Sequence, residues 1–216
     1  MMDADRRDTN FDNFAIVILA AGSSKRMGAR NKLLEPVMGK PLLAHALEAA
    51  RSLRPADLIV VTGHERALIA NAVGDYPVRV VHNVSYSDGM GTSLACGAGA
   101  VGANVIGAFI HLGDVPFVSA ETFRNLAGAL LNDRAGRYQV FVPIHEGRRG
   151  HPVLFRRELL HALCELSGDE GARRVIGANS CLEVAVPDTG INRDIDTEAD
   201  LAAFTRQCGG SCQLSD

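Results

Sequence analysis

Residues 19–32 read LAAGSSKRMGARNK and follow an apolar run, FAIVIL, at 14–19. Small residues put no side chains in the way, so a phosphate can come close to backbone N–H groups. Lys25, Arg26 and Lys32 add positive charge around whatever anion sits there. A strand that opens into such a loop handles phosphate; a surface turn with incidental basic residues is the bland reading. The loop is not a Walker A motif, because no Gly-Lys-Ser/Thr follows at the required spacing, and it lacks the G-x-G-x-x-G of a dinucleotide fold.

Two sets of carboxylates come next. Asp114 lies in HLGDVPFVS, just after an apolar run. An Asp there can point into a crevice beside the phosphate loop and hold Mg²⁺, which prefers one or two carboxylates plus substrate phosphates. It can also be a simple turn former before Pro116. Asp194 and Asp196 in NRDIDTEADL could reach the same metal, since alternation places both on one side of an extended segment. They could equally solvate and cap the final helix. His145 and His151 flank EGRRG without matching H-E-x-x-H, and no G-x-S-x-G elbow anchors a hydrolase triad. His82 and His111 fall in strand patterns, where a hydrogen-bonded structural role is expected; His45, His64 and His161 sit in or beside helices.

These groups need a scaffold, and the chain supplies one rhythmically. Strand patterns at 14–19, 57–63, 77–83, 104–116 and 138–144 alternate with helical patterns at 41–53, 64–73, 91–102 and 119–133. Ser119 is a helix N-cap candidate. This order predicts an α/β fold with a mostly parallel sheet and helices on both faces. After Ile144 the rhythm changes to a hairpin-like turn and strand, a helix, a second short helix, a strand at 181–188 and a closing helix capped by Thr197. In such sheets ligands bind beyond the carboxyl ends of the strands. LAAGSS, DGMGTS, GDVP and RRGHP all fall at those ends.

Composition narrows the classes. The 216 residues suit one domain, with 1–13 read as a flexible tail, 14–205 as the domain and 206–216 as a second tail. A net charge of −3 argues against nucleic-acid binding. No apolar run approaches the roughly 18 residues of a membrane span. The polar start MMDADRRDTNFDN has no signal-peptide core, which predicts a cytoplasmic protein. Five cysteines, an odd count, read as free thiols, and Cys208 and Cys212 make too sparse a set for a strong metal site.

Together, LAAGSSKRMGARNKLL, NVSYSDGMGTSLACG, HLGDVPFVS, RRGHPVLF, SGDEGARRVI and RDIDTEADL resemble the molybdenum cofactor nucleotidyltransferases of the MobA-like NTP-transferase group. The resemblance runs over residues 14–204. It implies a single-domain, Rossmann-like fold of the glycosyltransferase-A type. RGHPVLF and GDEGAR resemble the cytidylyltransferase branch, in which CTP and molybdenum-bound molybdopterin give molybdopterin cytosine dinucleotide and pyrophosphate. The guanylyl branch usually has LAGG where this chain has Leu19, Ala20, Ala21 and Gly22, so Ala21 fits the CTP-using branch.

Carried over motif by motif, the resemblance implies that Leu19 lies near the base, that Ala20 to Gly22 and Ser24 wrap the phosphates, and that Arg26 sits beside the β- and γ-phosphates. Lys32 would neutralise charge near the α-phosphate. Gly91 and Ser93 would touch base or ribose. Asp114 would be the main ligand of Mg²⁺, with Mn²⁺ as an alternative, and Asp194 and Asp196 lesser ligands. RRGHPVLF would line the pterin side, and a molybdenum hydroxylase would be a downstream partner. The alternatives are a related nucleotidyltransferase using GTP or another phosphorylated acceptor, such as a sugar phosphate or methylerythritol phosphate, and a non-catalytic carrier of the cofactor.

Overall fold

The computed structural model describes residues 10–23, 30–195, 197 and 200. Ser24, Arg26, Asp196, Cys208 and Cys212 lie outside the described residues, as does most of the closing helix.

Strand β1 (Phe14–Ala20) is buried except at the partly buried Leu19 and lies inside the sheet, between β6 and β4. A short hairpin, β2 (Pro36–Val37) and β3 (Lys40–Pro41), precedes helix α1 (Leu42–Ser52). There follow β4 (Asp57–Thr62), α2 (Arg66–Val73), β5 (Arg79–His82), α3 (Met90–Ala100) and β6 (Gly107–Leu112). Helix α4 (Ala120–Asn132) leads to β7 (Val140–His145), β8 (Arg148–Arg149) and β9 (Val153–Arg156). Short helices α5 (Leu160–Cys164) and α6 (Arg173–Gly177) precede β10 (Cys181–Ala185).

The sheet runs β10-β7-β9-β6-β1-β4-β5, with β8 paired to β7. β1 lies parallel to both β4 and β6, β4 to β5, and β10 to β7. β9 alone is inserted antiparallel on this path, between β6 and β7. The mostly parallel sheet expected from the alternating pattern is therefore present.

Alternation along β1 feeds two cores. Phe14, Ile16 and Ile18 face α1, α2 and α4, whereas Ala15 and Val17 face α3, α5 and α6. Burying a large aliphatic or aromatic side chain contributes about 1.5–3 kcal/mol, so this two-sided burial is what makes β1 central. The small residues of α3 have a packing reason: a Cβ at Gly97 would lie 2.6 Å from Val17 Cγ1. The helix thus sits close on the sheet. Ser119 caps α4 as expected, its hydroxyl accepting the Thr122 N–H.

The ordered core begins before residue 14. Phe11 is buried against Phe14 and Phe109, and its carbonyl accepts the N–H groups of Phe14 and Ala56. One buried aromatic outweighs the polar composition around it. The strand pattern at 104–116 is also longer than β6, because Gly113 and Asp114 leave the sheet to build the site.

Candidate active site

The carboxyl ends of β1 and β6 are joined by a backbone hydrogen bond: the Gly113 N–H donates to the Leu19 carbonyl at 3.0 Å. A Cβ at Gly113 would approach that carbonyl to 3.1 Å and the Leu33 and Leu43 side chains nearly as closely. This contact sets Asp114 beside the start of the small-residue loop. Ala20 and Ala21 are buried there, with the Ala21 carbonyl accepting the His64 N–H, whereas a Cβ at Gly22 would meet nothing within 4 Å among the described residues.

Lys32 returns to this point from a one-turn helix at 32–34. Asn31 caps that turn, its Oδ1 accepting the Leu33 N–H at 3.1 Å, and Leu33 is buried below it. From this base the Lys32 ammonium donates to Asp114 Oδ2 at 2.6 Å. The pair is partly buried, at 14% and 22% side-chain exposure, so water screens it less than a surface pair. Asn31 was not anticipated as a site residue; it is buried and its Nδ2 has no partner among the described residues. A polar side chain immediately before a basic loop residue was the available signal.

The segment 190–195 closes the far wall. Ile195 donates its N–H to the Asp114 carbonyl at 3.0 Å, and His151 donates its backbone N–H to the Ile191 carbonyl at 2.9 Å. Asp194 is exposed and lines the same cleft as His151. The two motifs carrying Asp114 and Asp194 are thus brought together; Asp196 is not described. Among the described residues no three His, Cys, Asp or Glu side chains are grouped to hold an ion by themselves. One or two carboxylates together with substrate phosphates is the donor set that suits Mg²⁺.

Gly91 and Ser93 also lie at this end of the sheet, but both are engaged inward. Gly91 donates its N–H to the Gly168 carbonyl at 2.8 Å. The buried Ser93 hydroxyl accepts from Asn83 Nδ2 at 3.0 Å, and the same amide donates to Thr92 Oγ1 at 2.8 Å. Ser93 keeps its hydroxyl proton for a further partner; Gly91 has no spare N–H. DGMGTS and SGDEGA are therefore one packed unit.

A cleft of about 700 Å³ runs from Leu19 toward α6. Its floor is apolar, with Leu94, Ile110, Val142 and Phe155, and its rim is basic, with Arg148 and Arg173. Neither arginine has an ion-pair partner among the described residues, whereas Arg149 is paired with Glu183. A groove of about 680 Å³ lies at the opposite ends of β4 and β5, lined by Arg51, Arg54 and Arg79. Size does not distinguish the two; the first is lined by Leu19 at the end of β1, by Val115 next to Asp114 and by Asp194.

Two histidines lie at the cleft, His111 behind its floor and His151 in its lining. His111 is fully buried beside Phe123, and burial pushes its pKa down to about 3, with nearby His151 adding to the effect and a backbone hydrogen bond to Val115 opposing it. Burial also lowers the pKa of His151, against the pull of Asp114, a backbone hydrogen bond to Ile110 and Asp194. Both rings are neutral near pH 7. His111 fits the structural role expected of it, while His151, in RRGHP, lines the cleft.

The comparisons with known proteins agree with this fold. Over 118 residues, 53% of this chain, it is 39% identical to the bifunctional protein GlmU of Kineococcus radiotolerans. That match spans only 24% of the relative's length. The structure of Rv0371c from Mycobacterium tuberculosis superposes with a TM-score of 0.76 at 27% identity, covering 90% of this chain and 98% of that one. Rv0371c has also been solved as a manganese complex, which superposes at 0.72 with 26% identity. The molybdopterin-guanine dinucleotide biosynthesis protein A of Archaeoglobus fulgidus shares the fold at a TM-score of 0.66 and 16% identity, covering 91% of this chain and 99% of that one. The MobA-like NTP transferase domain model matches residues 16–184, and the chain belongs to that family of nucleotidyltransferases.

Proposed function

We propose that this chain transfers CMP from CTP to the terminal phosphate of molybdenum-bound molybdopterin, releasing pyrophosphate and forming molybdopterin cytosine dinucleotide. The observation that carries the reading is the Lys32–Asp114 pair, 2.6 Å apart, at the carboxyl end of β6, next in sequence to Val115 of a cleft with an apolar floor and basic rim. Such a cleft suits an acceptor with a flat, weakly polar body and a phosphate. Ala21 in place of a second glycine supports cytidine over guanosine.

The acceptor phosphate is already anionic near neutral pH, so no general base is required. The obstacle is bringing two anions together and stabilising charge on the leaving pyrophosphate. In this reading Ala20, Ala21 and Gly22, with Ser24 and Arg26, hold the phosphates, and Leu19 lies toward the base. Lys32 neutralises charge near the α-phosphate as the acceptor oxygen bonds to phosphorus and the pyrophosphate oxygen leaves. Asp114 holds the divalent ion, with Asp194 and Asp196 as further candidates. When bound, Mg²⁺ or Mn²⁺ supplies fixed positive charge to the triphosphate. Gly91 and Ser93 support the base or ribose from behind, Ser93 through its spare hydroxyl proton. Arg148 and Arg173 orient the acceptor phosphate. That the similar protein Rv0371c has been solved as a manganese complex supports a divalent ion in this reading.

A substrate panel scored by pyrophosphate release tests the reading. CTP with molybdenum-molybdopterin should be turned over fastest. Faster turnover with a sugar phosphate or methylerythritol phosphate would overturn the assigned acceptor, and tight CTP binding with no pyrophosphate formed would point to a carrier.

A further inference from the structure

We propose that Lys32 is an internal counter-cation that keeps Asp114 closed to a bare divalent ion and releases it only when a polyphosphate draws the ammonium away. The proposal rests on the reading above that nucleotide phosphates enter beside Asp114.

Three observations carry it. First, the ammonium lies 2.6 Å from Asp114 Oδ2, so the carboxylate is already neutralised in the free protein. An incoming divalent ion must share that oxygen with a charged nitrogen or displace it, and like charges at such spacing repel strongly where water screens poorly. Second, the backbone beneath Lys32 is fixed, and its ammonium stands on a long stem of rotatable bonds. The Leu34 N–H donates to the Asn31 carbonyl at 3.0 Å, the Glu35 N–H donates to the Lys32 carbonyl, and Leu33 is buried. The four-carbon stem can therefore swing its head between Asp114 and a phosphate without moving the loop. Third, no group of three acidic, His or Cys ligands among the described residues compensates for this competition. A bare ion would meet one or two carboxylates and a resident ammonium. A polyphosphate changes both terms: it offers Lys32 a stronger partner and brings its own oxygens to the metal. Metal and nucleotide would then enter together, and the free protein would hold neither.

Removal of the lysine head should make the free protein a better metal site. Mn²⁺ binding is read by electron paramagnetic resonance on the full chain without nucleotide, for wild type, Lys32→Met and the double variant Lys32→Met/Asp114→Asn. Circular dichroism checks that each is folded, and Lys32→Gln replaces Lys32→Met should that variant fail to fold. Lys32→Met should bind Mn²⁺ about tenfold more tightly than wild type, as expected from losing a close like charge. The double variant should fall back to weak binding. Added CTP should tighten Mn²⁺ binding to wild type. Equal Mn²⁺ affinity in wild type and Lys32→Met, or tight binding by wild type alone, would overturn the proposal. Tighter binding by Lys32→Met with no response of wild type to CTP would retain the counter-cation and overturn the nucleotide reading instead.

Discussion

Gly89 lies with its α-carbon pressed against Gly168: a Cβ added to Gly89 would sit 2.2 Å from the Gly168 carbonyl carbon and oxygen. Gly89 also has φ +122°, where a side chain is strained in any surroundings. Two glycine motifs far apart in sequence thus meet backbone to backbone, and the contact couples the turn before α3 to the loop that carries α6 and Arg173. Gly91→Ala would place its Cβ 2.6 Å from the Ser167 carbonyl oxygen. Overpacking of this kind costs about 1–3 kcal/mol, so Gly91→Ala should lower the thermal midpoint and raise the KM for nucleotide. Melting curves and initial rates check both.

Loss of either member of the Lys32–Asp114 pair should stop the chemistry while sparing the fold. Removing one preorganised charge from such a site costs about 3–4 kcal/mol, which is roughly two or more orders of magnitude in turnover for Lys32→Ala or Asp114→Ala. Pyrophosphate release measures the rate and circular dichroism the fold. A nearly unchanged turnover number in either variant would remove the pair from the mechanism.

The basic rim should act on the acceptor alone. Arg148→Ala combined with Arg173→Ala removes two guanidinium groups without ion-pair partners among the described residues. A rise of about tenfold in the acceptor KM is expected from lost charge-assisted hydrogen bonds, with the CTP KM within about twofold of wild type. Steady-state kinetics with each substrate varied in turn separates the two.

Stability should fall in acid because of His111. Its folded pKa of about 3 lies below the ordinary value of 6.5, so the unfolded chain takes up a proton that the folded chain refuses. Stability is fully present above pH 6.5 and declines as pH falls from there toward 3, by about 1.4 kcal/mol per pH unit for one proton. The depressed pKa of His151 acts in the same direction. His111→Phe keeps a ring beside Phe123 and should flatten the slope by about one proton. Urea titrations between pH 4 and 7 give the slope directly.

Much of this was legible in the chain because parallel strands buried on both faces announce themselves as continuous apolar runs. FAIVIL and DLIVVT are the pattern that β1 and β4 required. The antiparallel insertion of β9 was not legible: VLFR reads as a strand, but its place between β6 and β7 depends on pairing Phe155 with both Ala108 and Val140. Phe11 was hidden for the opposite reason, as a single aromatic in a polar stretch. Within the site, Lys32 and Asp114 were readable from their motifs, since loop and strand end had to meet. The embrace of Gly91 by Gly168 was not, because backbone contacts leave only glycines as their trace. The orphaned amide of Asn31 left only a polar residue before Lys32 as its trace.

The most direct test is a competition among CTP, GTP and ATP with molybdenum-molybdopterin and Mg²⁺, reading the dinucleotide formed. The cytosine dinucleotide should dominate, equal to the pyrophosphate released, and should vanish with Asp114→Ala. A guanine dinucleotide as the main product, or no dinucleotide from the wild-type chain, would contradict the account.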